Sequence, residues 1–414
     1  PAACVLAWVA FQAVPIPSNL VALLSPERLR LEQESAHLLG TRSPFFFALS
    51  VDPEETRRYL WEFAGIALYT VLLWNVVTDR DRLRRLLLVM IGNGAALTLF
   101  AIVQRATWNG AIYWVRTVKG GDTFGPYVNR THMGGLLLLI IPLGLGFLSA
   151  EAARRPKGER FDWRAWVRMP VRELFERLFL PLLLLIMAAS VLTSKSRGAL
   201  ASLLLALLLM ALWFASRGRE ERSGLLGVAG FTVAGLLAAL WISADLFLGA
   251  TERLVGEALD PKEGSRLAIW SQALGLWKRF PLAGSGMGTF EPAFNLVRKV
   301  FPGNHAVTHA ESDFVQLLCD TGLVGLGLAL WLFSALVFAG SRSLTKAEGR
   351  SRQRLVLGGL IALVAAAVQG IANFDLSIMA NWLYVAAAVV VMGRAGELAA
   401  GKGGLRARSQ LGGA

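Results

Sequence analysis

Stretches of about twenty apolar residues recur along the whole chain, and they constrain its fold more than any other feature. A hydrocarbon core about 30 Å thick needs roughly 20 apolar residues per spanning helix. Such stretches lie near 1–14, 59–78, 86–107, 132–150, 178–193, 198–215, 224–245, 313–339, 355–373 and 380–393. Only helices and closed barrels satisfy backbone polar groups in lipid. The aperiodic Leu, Ala, Gly and Val richness lacks the alternation of barrel strands. The expected fold is therefore an all-α, polytopic transmembrane bundle. Composition agrees, since 17% of residues are charged against about 25% in a soluble domain.

The spans organise the chain into four expected parts. Residues 1–245 hold seven transmembrane helices, 246–312 form a long extracytoplasmic loop, 313–396 hold three more helices, and 397–414 make a disordered basic cytoplasmic tail. The first apolar segment is no signal peptide, because no basic stretch precedes it and no small-residue cleavage site follows. It lacks an initiator Met, so upstream sequence is expected.

A formal charge of +13 raises the question of nucleic-acid binding. With a cytoplasmic N-terminus, the inside loops are 79–85, 151–177, 216–223, 340–354 and 394–414. They carry 24 Lys/Arg in about 78 residues, against 17 in about 145 residues outside. That asymmetry is the positive-inside rule. The basic excess is topological, and nucleic acid is not an expected partner. Cys4 and Cys319 both fall in apolar spans, which excludes a disulfide framework and a thiolate metal cluster.

Two outside regions are too long for simple connectors. In 15–58, Ser25-Pro26 is a cap followed by proline and predicts a short polar helix. In 246–312, Leu267, Trp270, Leu274 and Trp277 fall at helical spacing over Ser265–Phe280. They predict an amphipathic helix resting on the membrane surface or on the bundle. Gly284-Ser285-Gly286-Met287-Gly288 follows Phe280-Pro281 with no strand before it. A tight turn is the expectation there, not a dinucleotide loop.

Charges at the edge of a bilayer are expensive and ask for a reason. Arg197 lies between two spans joined only by Ser194-Lys195-Ser196-Arg197. It is either a snorkelling Arg at a helix end or a bidentate partner for a phosphate or diphosphate. Arg266 opens the amphipathic helix and is either a solvated surface residue or part of the same site. The segment Asn304 to Asp313 carries His305, His309, Glu311 and Asp313. It suits general-base chemistry at the membrane surface. A metal held by His305, His309 and a carboxylate, or a plain capping segment, are the alternatives. Asn129, Arg130 and His132 precede another outer span; they line the same cavity or cap the next helix. Lys195 and Asp313 are further candidates for that lining.

These stretches together resemble the O-antigen ligase/polymerase superfamily of bacterial membrane glycosyltransferases. Phe124-Gly125-Pro126-Tyr127-Val128-Asn129-Arg130-Thr131-His132 is similar to its F-x-N-R-N-H stretch. Ser194-Lys195-Ser196-Arg197-Gly198-Ala199 is similar to S-x-S-R-G-A. Arg266 through Trp270, Pro281 and Gly284 to Phe290 resemble its R…W…P…G-x-G-x-G-x-F loop. Ala310 to Gln316 with Gly322-Leu323-Val324-Gly325 resembles A-H-N-D-Y-L-Q…G-L-x-G.

The resemblance implies a helical bundle of the GT-C type in the bacterial inner membrane, acting at its periplasmic face. The implied donor is an undecaprenyl-diphosphate-linked glycan, and the acceptor is a glycan or a lipid A-core hydroxyl. Transfer would invert the anomeric centre without metal or other cofactor. Arg197 and Arg266 would bind the donor diphosphate. This chain departs from the family pattern by carrying Glu311-Ser312 where many members have His-Asn. The base is then His309 oriented by Glu311, the favoured reading, or Glu311 itself. Ligase and polymerase are not separated by any residue. A transporter or flippase is the rival of a different class, although its ionisable groups would gather at mid-membrane rather than on one outer face.

Overall fold

A computed structural model of the chain describes residues 1–117, 123–154, 170–194, 196–242, 266–299 and 307–397. Those residues are mostly helical. In chain order they form α1 (Ala2–Ala13), α2 (Ser18–Leu24), α3 (Pro26–Leu38), α4 (Pro53–Val76), α5 (Arg80–Ala106) and α6 (Arg130–Ala152). Next come α7 (Leu180–Thr193), α8 (Arg197–Ser216), α9 (Arg222–Ile242), α10 (Arg266–Arg279) and α11 (Phe290–Phe294). The last three are α12 (Asp313–Lys346), α13 (Arg350–Ile371) and α14 (Met379–Glu397). Strands are confined to two short ladders, Ile16–Pro17 on Phe46–Phe47 and Ala111–Ile112 on Arg116–Thr117.

Seven of the described helices, namely α4, α5, α6, α8, α12, α13 and α14, are long and apolar enough to cross a bilayer. The chain is a multi-pass membrane protein. α1 and the helix at 177–192 are apolar but shorter, and α9 covers the span expected near 224–245. The chain forms two compact units. The first holds Pro1–Tyr69, Gly249–Leu336 and Gly370–Met379; the second holds Thr70–Leu248, Val337–Gln369 and Ala380–Ala414.

In the first unit, Ser25-Pro26 opens α3 as its spacing predicts, with Pro26 at the first helical position. The Ser25 hydroxyl makes no capping bond. Arg28 ties this region together instead, donating to the Ser50 carbonyl at 3.2 Å, pairing with Glu32 at 2.7 Å and lying over the Phe47 ring. The amphipathic helix is α10, but its packed stripe differs from the expected one. Ile269, Ala273 and Leu276 are buried, while Leu267 and Leu274 are exposed. The apolar arc of α10 is wider than one stripe, and spacing alone does not say which edge faces inward.

The central feature of this unit is a break in α12 at Gly322, where φ is +66° and ψ is −169°. A broken helix orphans amides and carbonyls that must bond elsewhere. The turn after α10 takes them. Leu323 N–H donates to Pro281 O at 2.9 Å and Val324 N–H to Leu282 O at 3.3 Å. In return, Ser285 N–H donates to Cys319 O and Gly286 N–H to Asp320 O, each at 2.9 Å. The backbones meet so closely that a Cβ on Gly284 would lie 2.4 Å from the Asp320 carbonyl carbon. Gly284 and Gly286 also need positive φ, at +71° and +117°. The glycine-rich stretch is thus the tight turn expected, serving as a splint for a helix.

The second unit is built around α6, whose apolar residues are buried along nearly its whole length. Asn129 caps it, accepting the Thr131 amide at 3.0 Å. Gly146 and Gly358 let α6 and α13 touch backbone to backbone: a Cβ on Gly146 would stand 2.7 Å from the Arg354 carbonyl. One ion pair is buried here. Arg354 donates through Nε to Glu221 at 2.9 Å and also bonds the Ser149 carbonyl, with the two side chains 2% and 4% exposed. Removing one partner leaves an uncompensated buried charge, at a cost of about 3–5 kcal/mol. Glu221→Ala should therefore lower the thermal unfolding temperature of the detergent-solubilised protein sharply. A double variant with Arg354→Met should recover much of the loss. Equal stability of Glu221→Ala and wild type would show that the pair carries no such cost.

Candidate functional site

The first unit gathers part of the expected site on the segment leading into α12. Trp270 on α10 donates its indole N–H to Ala310 O at 2.9 Å, which anchors the segment to that helix. Gln316, one turn into α12, reaches back to it. Its Oε1 accepts the Ala310 amide at 3.3 Å and lies 3.1 Å from His309 Nδ1. Because a backbone amide only donates, that oxygen is the acceptor for both, so Nδ1 carries the proton. A neutral His309 then keeps its lone pair on Nε2. The ring also stacks on Phe374, with centroids 4.4 Å apart and planes inclined by 19°.

Glu311 sits at φ +54°, in the left-handed region that non-glycine residues rarely enter. The conformation turns its carboxylate toward Arg266, whose Nε lies 3.5 Å from Glu311 Oε2. Arg266 Nη2 also donates to Asn373 Oδ1 at 3.3 Å. The Arg266 and Glu311 side chains are 42% and 27% exposed, so the pair is weak and open to exchange for a stronger anion. Asn373 is fully buried, and its Nδ2 has no hydrogen-bond partner among the described residues. Gln316 is thus placed beside His309, and Glu311 beside Arg266.

Asp313 opens α12 and turns toward the 370–379 segment. Both its carboxylate oxygens accept the Leu376 amide at 3.2 Å, and its own amide donates to Asn373 O at 2.8 Å. It thereby holds Asn373 and Phe374 in place. His305 and the Asn304 end of the segment lie outside the described residues. Among those described, no three His, Cys, Asp or Glu side chains are grouped as a metal ion would require.

Arg197, Asn129, Arg130 and His132 belong to the second unit. Arg197 is the exposed first residue of α8, preceded by Ser196, whose hydroxyl caps the helix on Ala199 N–H at 3.3 Å. Gly134 packs against the same corner, since a Cβ there would lie 2.6 Å from Ala199 Cβ. The 129–132 and 194–197 stretches therefore share one end of this unit. Asn129 is the N-cap of α6, and His132 is buried edge-on against Tyr127. Lys195 lies outside the described residues.

Comparison with known proteins adds a family to this geometry. Residues 182–330 match the O-antigen ligase family. The matched segment contains Arg197, Arg266, His309, Glu311, Asp313 and Gln316; the 129–132 stretch and Asn373 lie beyond it. The chain is also 29% identical over 154 residues to the exopolysaccharide production protein ExoQ of Rhizobium meliloti (strain 1021), covering 35% of this chain. The match spans about a third of that relative, 34% of its length. Both matches agree with the superfamily resemblance carried by the motifs.

Gln316, Asn373 and Phe374 are parts of the site that sequence reasoning does not single out. Gln316 stands in the motif that carries the resemblance, and its spacing of seven from His309 is the available signal. Asn373 and Phe374 sit about sixty residues further on, and no local pattern points to them. Asp313→Ala removes the side chain that holds their segment, and a buried hydrogen bond left unmade costs roughly 1–3 kcal/mol. Amides of 373–378 should exchange with deuterium about tenfold faster or more in that variant. Unchanged protection there would mean that the segment is held by other contacts.

Proposed function

We propose that this protein is a membrane glycosyltransferase of polysaccharide assembly. It transfers a glycan from an undecaprenyl-diphosphate donor to a hydroxyl of a glycan or lipid A-core acceptor, at the periplasmic face of the bacterial inner membrane. The observation that carries this reading is the Gln316-oriented His309 beside an arginine held by an exchangeable carboxylate, all within the O-antigen ligase segment.

In this mechanism His309 Nε2 takes the proton of the acceptor hydroxyl as its oxygen attacks the anomeric carbon. The bond from that carbon to the diphosphate oxygen breaks on the opposite face, which inverts the centre. The electron pair leaves on the undecaprenyl diphosphate. Arg266 releases Glu311 for the more highly charged diphosphate and stabilises the charge building on it. Arg197 is assigned to the donor diphosphate by the motif resemblance. No step uses a metal.

The test is complementation of cells lacking their own ligase or polymerase with the full-length protein and with Arg197→Ala, Arg266→Ala, His309→Ala and Glu311→Ala at matched membrane levels. Loss of transfer with lipid-linked donor accumulating outside is expected for both Arg variants. For His309→Ala the loss should be about 10²–10⁴-fold. Glu311→Ala should retain more activity than His309→Ala. Full activity in all four would remove the site. A wild type that rescues neither defect, with donor held on the cytoplasmic leaflet, would favour a transporter. Gln316→Glu tests the positioning separately. A carboxylate beside His309 favours its protonated form, so the acidic limb of the rate–pH profile should move to higher pH. An unmoved limb would mean that His309 is not the base.

A further inference from the structure

Asn373 lies where the Arg266 and His309 contacts come together, and one side of its carboxamide has no task in them. The residue is fully buried, and its backbone is held on several sides. Its carbonyl accepts the Asp313 amide at 2.8 Å. Three residues on, the Leu376 amide donates to the Asp313 carboxylate at 3.2 Å. Three residues before, the Gly370 carbonyl accepts the Ser312 hydroxyl at 3.3 Å. Phe374 stacks on the His309 ring. A side chain mounted on such a segment is placed with little freedom to swing away.

The carboxamide offers one acceptor oxygen and one NH₂ donor. The acceptor, Oδ1, takes Arg266 Nη2 at 3.3 Å. The donor, Nδ2, is buried and meets no acceptor among the described residues. Buried donors are almost always paired, and an unpaired one is costly. Nδ2 is bonded to the same carbon as Oδ1, so it stands beside the guanidinium.

The residue type supplies a second argument. If holding Arg266 were its whole task, an aspartate of the same shape would do it better, since a charge-assisted bond is about twice as strong. A second carboxylate next to Glu311 would also neutralise the guanidinium and repel an incoming anion. Asparagine holds the arginine without neutralising it, and brings a donor where aspartate would bring a negative oxygen. Glu311 is the exchangeable partner, 27% exposed and 3.5 Å from Arg266 Nε.

We propose that Asn373 is a further donor-binding residue: its Nδ2–H donates to the diphosphate oxygen that displaces Glu311 from Arg266. This role presupposes that Arg266 binds the donor diphosphate, and it adds a neutral hydrogen-bond donor to the cation.

The experiment titrates the full-length protein in a neutral detergent with geranyl diphosphate, a short polyprenyl diphosphate soluble enough to follow weak binding. Dissociation constants are read by isothermal titration calorimetry for wild type, Asn373→Leu, Arg266→Ala and the double variant. Asn373→Leu should bind about tenfold more weakly than wild type, the worth of a hydrogen bond to a charged oxygen. The double variant should bind more weakly than Arg266→Ala by a similar factor, because Nδ2 meets the ligand itself. If Asn373→Leu does not fold, Asn373→Ala takes its place in the same cycle. Equal binding by the Asn373 variant and wild type overturns the proposal and leaves the Arg266 assignment standing. A loss that vanishes in the Arg266→Ala background also overturns it, since Asn373 would then only hold the arginine. A wild type that does not bind the probe, or an Arg266→Ala variant that binds it like wild type, removes the diphosphate site of the transfer reading and the role of Asn373 with it.

Discussion

A helix that stops inside an apolar environment must hand its unpaired amides and carbonyls to some other part of the chain. In the first unit that obligation falls at Gly322, and much of the unit follows from it. The turn from Pro281 to Gly286 accepts two amides from beyond the break and donates two to the carbonyls before it. Gln12 on α1 joins the same knot, donating to Ala283 O and Asp320 O at 2.7 and 2.9 Å. Asp320 in turn accepts the Gly288 amide at 3.1 Å. The break, the glycines and the buried polar residues around them are one arrangement, and none would be tolerable without the rest.

The same helix sets the geometry of the candidate site at its other end. Gln316 is on the short segment of α12 ahead of the break, so its reach back to His309 and Ala310 is fixed by a helix that is itself splinted. Glu311 then bears the local strain: a left-handed residue between a buried Ala310 and a buried Ser312. Such outliers persist where the surroundings over-determine them, often at functional positions. Here the turn separates the carboxylate, which goes to Arg266, from the imidazole, which goes to Gln316.

How far the sequence reveals this is uneven, for physical reasons. Apolar length is a strong local signal, and the helices lie close to where it places them. Asn129 starts a helix because capping is also local, and Ser25-Pro26 marks the start of α3 through its proline. The buried face of α10 is not legible in the same way, because Leu267 and Leu274 and the packed Ile269, Ala273 and Leu276 occupy neighbouring arcs of one helix. Spacing carries no information about what a face meets. The histidine segment is visible through its residue types, but its partners are not. Gln316 is uncharged and reads as an ordinary helical residue, and Asn373 and Phe374 arrive from a distant turn. The division of the chain into two units is beyond any local pattern, since each unit is assembled from three separated stretches.

The backbone approach of Gly146 to Gly358 has a thermodynamic side. Packing two helices through leucines or methionines freezes rotamers, an entropic cost of roughly half to two kcal/mol per side chain that offsets part of the dispersion attraction. At the contact of Gly146 with Gly358 neither residue has a rotamer to freeze. The two backbones attract one another without that loss, and in lipid, where apolar burial does not drive helices together, the difference counts for more.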